Sequence, residues 1–542
     1  VNKVPLSLNP NPLFARQEVF SLNGSWKFAL TKSEEKPTAW KKIEVPFAVE
    51  TSESGVFTFV HKDDFMHYQL VLALPSEYCL TPLILHFVAI DQIADVYLND
   101  KKIAHHEGGY FPFSIYLPAL KNGDVIDVVA KDDTESDVFP RGKQSLDPHW
   151  IFYRPTSGIW GDVYLEKVPV TGYISSLGID ANYDSKTLKV VAPFVGGKIK
   201  KATCEVFYKD KEVASFPLDS NGEGEVSLAK DFYSWSPSEP NLYDLVLKIN
   251  DDEVHSYCGF RKFSSVVING FRLFTLNDKP LFLSGLLDQG YYNQNTALTP
   301  LNEESITSDL AYVKACGFNC LRKHIKIEPM RYYYHCDKLG IILIQDLVSG
   351  GDKFDIVKLT YLPHFGINLT GPDTHVENIN RHNPVSRILF EKDLVTTYHY
   401  LNNVVSIAIW TIFNESWGQY SARRVSKIMQ DLDHTRLVDA TSGWTDKGAG
   451  DFKSLHIYYQ KIKAKNDHKR ILSLSEWGGT SLPLDNHIYA PEPYGKHPCP
   501  SKRALLNSID KSVTKEIIPL IKKQGLSVSI YTQLSDVEAE TN

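Results

Sequence analysis

The stretch VVSIAIWTIFNESWGQ, residues 404–419, is an unbroken apolar run that stops abruptly at Asn414, Glu415 and a Trp-Gly turn. Its length and lack of alternation describe a strand buried on both faces, as in a parallel sheet covered by helices. A carboxylate at the end of such a strand is costly when unpaired and out of water, or it shifts its pKa instead. Glu415 therefore marks either a structural ion pair or a site.

Comparable runs recur on both sides: LFLSGLLD (281–288), FNCLRKH (318–324), IILIQD (341–346), LVDATSGW (437–444), SLHIYY (454–459), ILSLSE (471–476) and LSVSIYTQ (526–533). Between them lie stretches of helical period. EESITSDLAYVKACG places Ile306, Leu310 and Val313 on one face, and EPMRYYYHCDKLG, FEKDLVTTYHYL, YSARRVSKIMQDL and SVTKEIIPLIKK read the same way. Eight strand units with intervening helices predict a (β/α)8 TIM barrel over 264–542, with its site at the C-terminal ends of the strands. The long segments 347–387 and 478–510 are expected to wall that site. The sequence stops at ETN soon after the eighth strand, so the barrel is expected to be cut short at its C-terminus.

Upstream the period changes to short alternating strands and turn clusters. Residues 1–168 (SWKFAL, YQLVLAL, LILHFVAI, ADVYLN, DVIDVVA, DVYLEKV) predict a jelly-roll β-sandwich, and 169–263 (LKVVAPF, ATCEVFYK, GEVSLA, YDLVLKI) an immunoglobulin-like β-sandwich without the Cys-Trp-Cys pattern. The length of 542 residues exceeds one ordinary core and suits this three-domain division. A net charge of −7 argues against nucleic acid as a partner, and no apolar run reaches membrane-spanning length. The seven scattered cysteines contain no C-x-x-C pair, which points to a reducing, cytoplasmic setting and to no zinc knuckle. The start, VNKVPLSLNPNPLF, lacks a signal-peptide layout, and the sequons at Asn368 and Asn414 read as chance matches. A symmetric homo-oligomer is compatible with an enzyme of this size.

On the barrel reading, polar residues collect at the strand ends: Asp288 and Gln289, Arg322 and His324, Asp346, Asn414 and Glu415, Trp444, His456 and Tyr458, Glu476 and Trp477, Tyr531 and Gln533. Two glutamates on the fourth and seventh strands face each other across such a barrel. Retaining glycoside hydrolysis needs that pair about 5–5.5 Å apart, one protonated to donate to the leaving oxygen and one ionised to attack the anomeric carbon. The acid's pKa is expected to be raised by burial and by the second carboxylate, and the nucleophile's held low by donors and a cation such as Arg322.

The segments RPTSGIWGDVYLEKV, LNDKPLFLSGLLDQGY, GFNCLRKH, YHCDKLGIILIQD, IFNESWGQ and LSLSEWGG resemble glycoside hydrolase family 2, which includes β-galactosidases, β-glucuronidases and β-mannosidases. The resemblance covers essentially the whole chain. It implies Glu415 as general acid/base, Glu476 as nucleophile, and Asn414 and Arg322 as substrate-binding residues. Asp288, Gln289, His324, His456 and Tyr458 are candidates for substrate contact or its support, and Trp444, Trp477 and Tyr531 for stacking on a sugar face. The chain departs from the family pattern in Arg322-Lys323-His324-Ile325 for R-x-x-H-Y-P, in Tyr531 where a tryptophan is usual, and in lacking an Asn-x-Lys pair after Glu476. The function implied is an exo-acting, retaining β-glycosidase on a carbohydrate substrate, β-galactoside first and β-glucuronide or β-mannoside next. A catalytically silent carbohydrate-binding relative is the alternative. No cofactor is expected: the resemblance leaves room for a divalent or sodium ion, but no ligand pattern calls for one.

Overall fold

The structure is a computed structural model that describes residues 6–293, 295–362, 381–458 and 460–542. Asn368 and the end of SLHIYY, Tyr459, lie outside these residues. In the N-terminal third, a six-stranded antiparallel sheet (in order Lys41–Val45, Gly24–Thr31, Phe65–Val71, Val125–Lys131, Ile93–Leu98, Lys101–Glu107) faces a four-stranded one (Val19–Ser21, Val163–Lys167, Leu83–Phe87, Phe113–Leu117). The period of two is visible in Val125–Lys131, where Ile126, Val128 and Ala130 are all fully buried. They join Trp26, Phe28, Leu85 and Phe87 in one core. The next unit pairs a three-stranded sheet (Gly178–Asn182, Thr187–Val191, Glu223–Ser227) with a four-stranded one (Lys211–Pro217, Ala202–Tyr208, Tyr243–Ile249, Asp252–Cys258). Cys204 and Cys258 lie in its core as free thiols, and the other five cysteines are free as well.

The C-terminal region is an eight-stranded parallel sheet. Its strands are β1 (Leu283–Asp288), β2 (Cys320–Lys323), β3 (Ile342–Asp346), β4 (Ile407–Asn414), β5 (Leu437–Ser442), β6 (Phe452–Ile457), β7 (Ile471–Gly478) and β8 (Leu526–Thr532). They run in the order β5-β4-β3-β2-β1-β8-β7-β6, so the barrel is closed except between β5 and β6. There Asp451 ties the strand starts together: its carboxylate accepts from Val438 N at 2.8 Å and its own N donates to Val438 O at 2.7 Å.

The helices fall where their period predicts. In α1 (Glu303–Ala315) the buried residues are Ile306, Leu310 and Val313, and the Asn302 side chain caps its start. α2 (Met330–Leu339) ends at Gly340, whose φ of 68 suits glycine. α3 (Pro384–Leu401), α4 (Ala422–Leu432) and α5 (Lys502–Ser512) follow. The alternation of strand and helix fails after β5 and β6, where 443–451 and the described part of 458–470 carry no helix. Gly443, Gly448 and Gly450, with φ of 107, 64 and 71, break any helical course in the first of these.

Residues 132–157 leave the first sandwich and reach the barrel mouth. The Arg141 and Gly142 N–H groups both donate to Ser349 O at 2.9 Å, and the Tyr153 hydroxyl donates to Glu540. At the base of this segment, the Ser157 hydroxyl lies 2.6 Å from Glu50 Oε1 and 2.7 Å from Asp132 Oδ2. One hydroxyl proton cannot serve two carboxylates, and burial pushes Glu50 up to about 7 and Asp132 up to about 6.

Candidate active site

At the end of β4 the backbone turns sharply. Glu415 and Ser416 both take left-handed conformations, φ 50 and 63. A non-glycine residue holds this conformation at a cost of about 1–2 kcal/mol. Two bonds enforce it: Glu415 N donates to Ser442 O at 2.8 Å and Trp417 N to Asn414 O at 3.1 Å. The turn aims Glu415 at Glu476, which projects inward near the end of β7. One oxygen of each carboxylate and one nitrogen of His456 lie within 4.8 Å of one another.

Arg322 organises the floor. It is fully buried, pairs with both oxygens of Asp346 (3.0 and 2.9 Å), and donates from Nη1 to Glu476 Oε1 at 2.9 Å and from Nη2 to Asn414 Oδ1 at 2.8 Å. The Tyr458 hydroxyl donates to the other Glu476 oxygen. Desolvation pushes Glu476 up, but His456 and Arg322 outweigh it even against the Glu415 charge, and its pKa lies below the ordinary value. That is the state a nucleophile requires.

Glu415 departs from expectation. Its burial does act to raise the pKa, but His456 Nδ1 stands 2.9 Å from Glu415 Oε1, and this contact, with the charges of Lys143 and His324, brings the carboxyl down to about 2. This lowered carboxyl is the opposite of the raised acid expected from burial and from the second carboxylate. The three ligand atoms of Glu415, His456 and Glu476 could in principle meet a cation, yet each residue is already engaged by protein donors or acceptors.

The family model for "Glycosyl hydrolases family 2, TIM barrel domain" matches residues 266–478, a span that holds every residue of this cluster except Lys143. The barrel of this chain is a glycoside hydrolase family 2 TIM-barrel domain. A β-galactosidase of Streptococcus thermophilus is 26% identical over 309 residues, 53% of this chain and 27% of that one. One from Halalkalibacterium halodurans is 24% identical over 464 residues, 77% of this chain and 43% of that one. The chain thus spans well under half the length of these curated relatives. Among solved structures, a β-D-glucuronidase of Dictyoglomus thermophilum superposes with a TM-score of 0.73 at 18% identity, covering 97% of this chain and 92% of that one. A family 2 β-galacturonidase of Eisenbergiella tayi gives 0.69 at 16%, covering 96% and 89%. At these identities the structural likeness is one of fold.

The family 2 barrel gathers some of the expected residues and leaves others aside. Asn414, Glu415, Arg322, His324, His456, Tyr458 and Glu476 meet at the mouth, with His324 Nδ1 3.1 Å from Asp346 Oδ2 and 3.9 Å from Glu476 Oε1. Trp444 stands at the rim, its ring 5.9 Å from that of His456. Gln289 lies beneath, donating to Gln533 Oε1 at 2.6 Å.

Three candidates point elsewhere. Asp288 is taken up by Lys323 (2.6 Å) and Tyr332 (2.9 Å), on the side of the strands away from the carboxylates. Trp477 and Tyr531 pack edge to face at 5.1 Å in the outer layer, with Trp477 Nε1 donating to Ser529 Oγ. Strand alternation explains both: Glu476 and Thr532 face inward, so Trp477 and Tyr531 face out. The Trp417 ring likewise packs under the sandwich segment, 5.4 Å from the Arg141 guanidinium, rather than lining a sugar pocket.

Other polar residues at the site were not foreseen. Lys143 comes from the sandwich segment, and its charge acts on Glu415, Glu476 and His324. Lys496, from the segment after β7, pairs with Glu540 at 2.8 Å and lies 4.8 Å from the Tyr458 ring centroid. The length of the two segments was the available signal, since long excursions in compact domains usually serve a site.

Proposed function

We propose that the chain is an exo-acting, retaining β-glycosidase that hydrolyses terminal β-linked sugars by double displacement, β-galactosides first. The separation of Glu415 and Glu476 carries this reading: oxygens within 4.8 Å suit the about 5–5.5 Å of a retaining pair and leave no gap for the water an inverting pair positions. Glu476, ionised beside Arg322, attacks the anomeric carbon while Glu415 protonates the departing oxygen. Glu415 then takes a proton from the water that releases the sugar. Asn414 accepts from Arg322 through its oxygen, which leaves its amide N–H groups for a sugar hydroxyl. The names of the sequence relatives support the galactoside.

A second reading, an acidic terminal sugar, is favoured by Lys143. No carboxylate among the described residues lies within ion-pair distance of its ammonium, which stands 5.7 Å from the Tyr153 ring centroid, and desolvation lowers its pKa. A substrate carboxylate would give it a partner. The test is a panel of aryl β-galactosides, β-glucuronides and β-mannosides, with the first-formed sugar followed by NMR. Release of the β-anomer supports retention, and an α-anomer would exclude it.

A further inference from the structure

Residues 150–153 span the barrel mouth between the wall that carries Glu415 and the one that backs Glu476. On one flank the Phe152 ring centroid lies 6.1 Å from that of Trp417, two residues after Glu415, and 5.2 Å from that of Phe354. On the other the Trp150 ring lies 6.5 Å from that of Tyr494, which bridges to Glu540. Glu540 holds Lys496, and Lys496 sits over the ring of Tyr458, whose hydroxyl donates to Glu476. Exposure rises along this path, from 3% at Glu476 through 7% at Tyr458 to 49% at Trp150, so Trp150 stands outward of the carboxylates on the way to solvent.

The Trp150 backbone takes the left-handed conformation, φ 56, which bulky side chains rarely adopt, and Phe152 N closes the turn around it by donating to His149 O at 3.0 Å. Strain of this kind clusters at active sites and ligand clamps. Two other exposed rings nearby, Phe57 and Tyr489, are each covered by the Arg154 guanidinium, at 5.5 and 5.8 Å. No cation lies over Trp150 among the described residues, and its ring neighbours, His149 at 68° and Tyr494 at 39°, meet it at an angle rather than face to face. An indole face is therefore open to solvent, with two polar groups at its margin. These are its own Nε1–H and His149 Nε2, neither of which has a hydrogen-bond partner among the described residues, while His149 Nδ1 is engaged by Asp147 O at 2.6 Å.

A pyranose matches that surface. Its ring faces carry C–H groups and its edge carries hydroxyls. Laid on the indole, it removes apolar surface of both partners from water, while its edge hydroxyls meet the Nε1–H donor and the imidazole nitrogen. We propose that Trp150 is the stacking platform for the sugar on the leaving side of the scissile bond, and hence that the substrate is a β-linked disaccharide or longer chain rather than the glycoside of a small alcohol. This rests on the glycosidase reading and adds to it the chemical class of the leaving group. The terminal sugar occupies the floor built by Arg322, Asn414 and Glu476, and the second ring lies outward against the 150–153 segment. Trp150 acts on binding and not on bond cleavage, so its effect falls on substrates that carry the second ring.

The experiment measures kcat/KM of the full chain on two glycosides of one terminal sugar, methyl β-galactoside and the β-1,4-linked galactosyl-glucose disaccharide, or the matching pair for whichever sugar the aryl panel selects. Wild type should favour the disaccharide. Trp150→Ala should lower the ratio of disaccharide to methyl glycoside by about 10-fold or more, the scale of one lost ring contact. Trp150→Tyr, which keeps a ring, should restore most of that ratio. Because a loosened mouth would lower both rates together, the ratio separates stacking from a structural role. An unchanged ratio in Trp150→Ala, or a ratio in Trp150→Tyr as low as in Trp150→Ala, overturns the platform. A wild type that releases no sugar from any glycoside of the panel instead overturns the glycosidase reading, and this inference with it.

Discussion

His456 Nδ1 lies 2.9 Å from Glu415 Oε1, and this contact, with the charges of Lys143 and His324, reverses what burial would do to the carboxyl. The imidazole's hydrogen bond and the positive charges around the carboxyl together favour the ionised form more strongly than desolvation opposes it. The site therefore holds two ionised carboxylates side by side, steadied by His456 and Arg322.

Removing that donor should free Glu415. In His456→Ala, desolvation and the Glu476 charge act against a weaker opposition, and the Glu415 carboxyl should titrate above its ordinary 4.5 rather than near 2. A carbon-13 NMR titration of labelled glutamate reads this directly. An unchanged midpoint would show that His456 does not set it.

Arg322 is expected to resist conservative change. It is fully buried and serves Asp346, Glu476 and Asn414 at once. Arg322→Met leaves buried carboxylates unpaired, a loss of about 3–5 kcal/mol, and Arg322→Lys supplies the charge without the planar fork. Denaturant unfolding should show both destabilised, the methionine variant more, with activity lost in each.

Lys143 separates the two substrate readings. If the substrate is acidic, Lys143→Met should raise KM for a β-glucuronide by about 10²-fold, the scale of a lost charge-assisted contact, and spare a neutral galactoside. Equal effects on both would leave Lys143 a general support of the site.

The Glu50 and Asp132 pair predicts an unusual slope of stability with pH. Both carboxyls are raised in the folded state, to about 7 and about 6, from 4.5 and 3.8. The folded chain then binds protons the unfolded chain has released, so this contribution is full below about pH 4 and is lost as pH rises through 6 to 7. Glu50→Gln removes it. The variant should gain stability relative to wild type between pH 5 and pH 8 by roughly 2 kcal/mol, measured by denaturant unfolding. A constant difference across that range would contradict the assignment.

Much of the barrel was legible because its signals are local. The apolar run ending in Asn414 and Glu415 and the period of Ile306, Leu310 and Val313 needed only neighbouring residues to be read. The candidate site was legible to the depth of strand ends, which named Arg322, Glu415, His456, Tyr458 and Glu476, the residues the barrel brings together at its mouth. Facing was not: Trp477 and Tyr531 stand beside inward residues and so point outward, a one-residue distinction that strand boundaries do not fix. Lys143 lay beyond reach because it joins the site through tertiary packing from 179 residues upstream of Arg322, with no periodicity to place it. The low pKa of Glu415 was hidden for a related reason, since it depends on how near His456 comes across an unladdered seam.

The most direct measurement is made on Glu476→Ala with an activated aryl β-glycoside and sodium azide. If Glu476 is the nucleophile, turnover should fall by several orders of magnitude, and azide should restore it by entering the vacated face to give the α-glycosyl azide. Ordinary hydrolysis without azide, or a β-glycosyl azide, would contradict the mechanism.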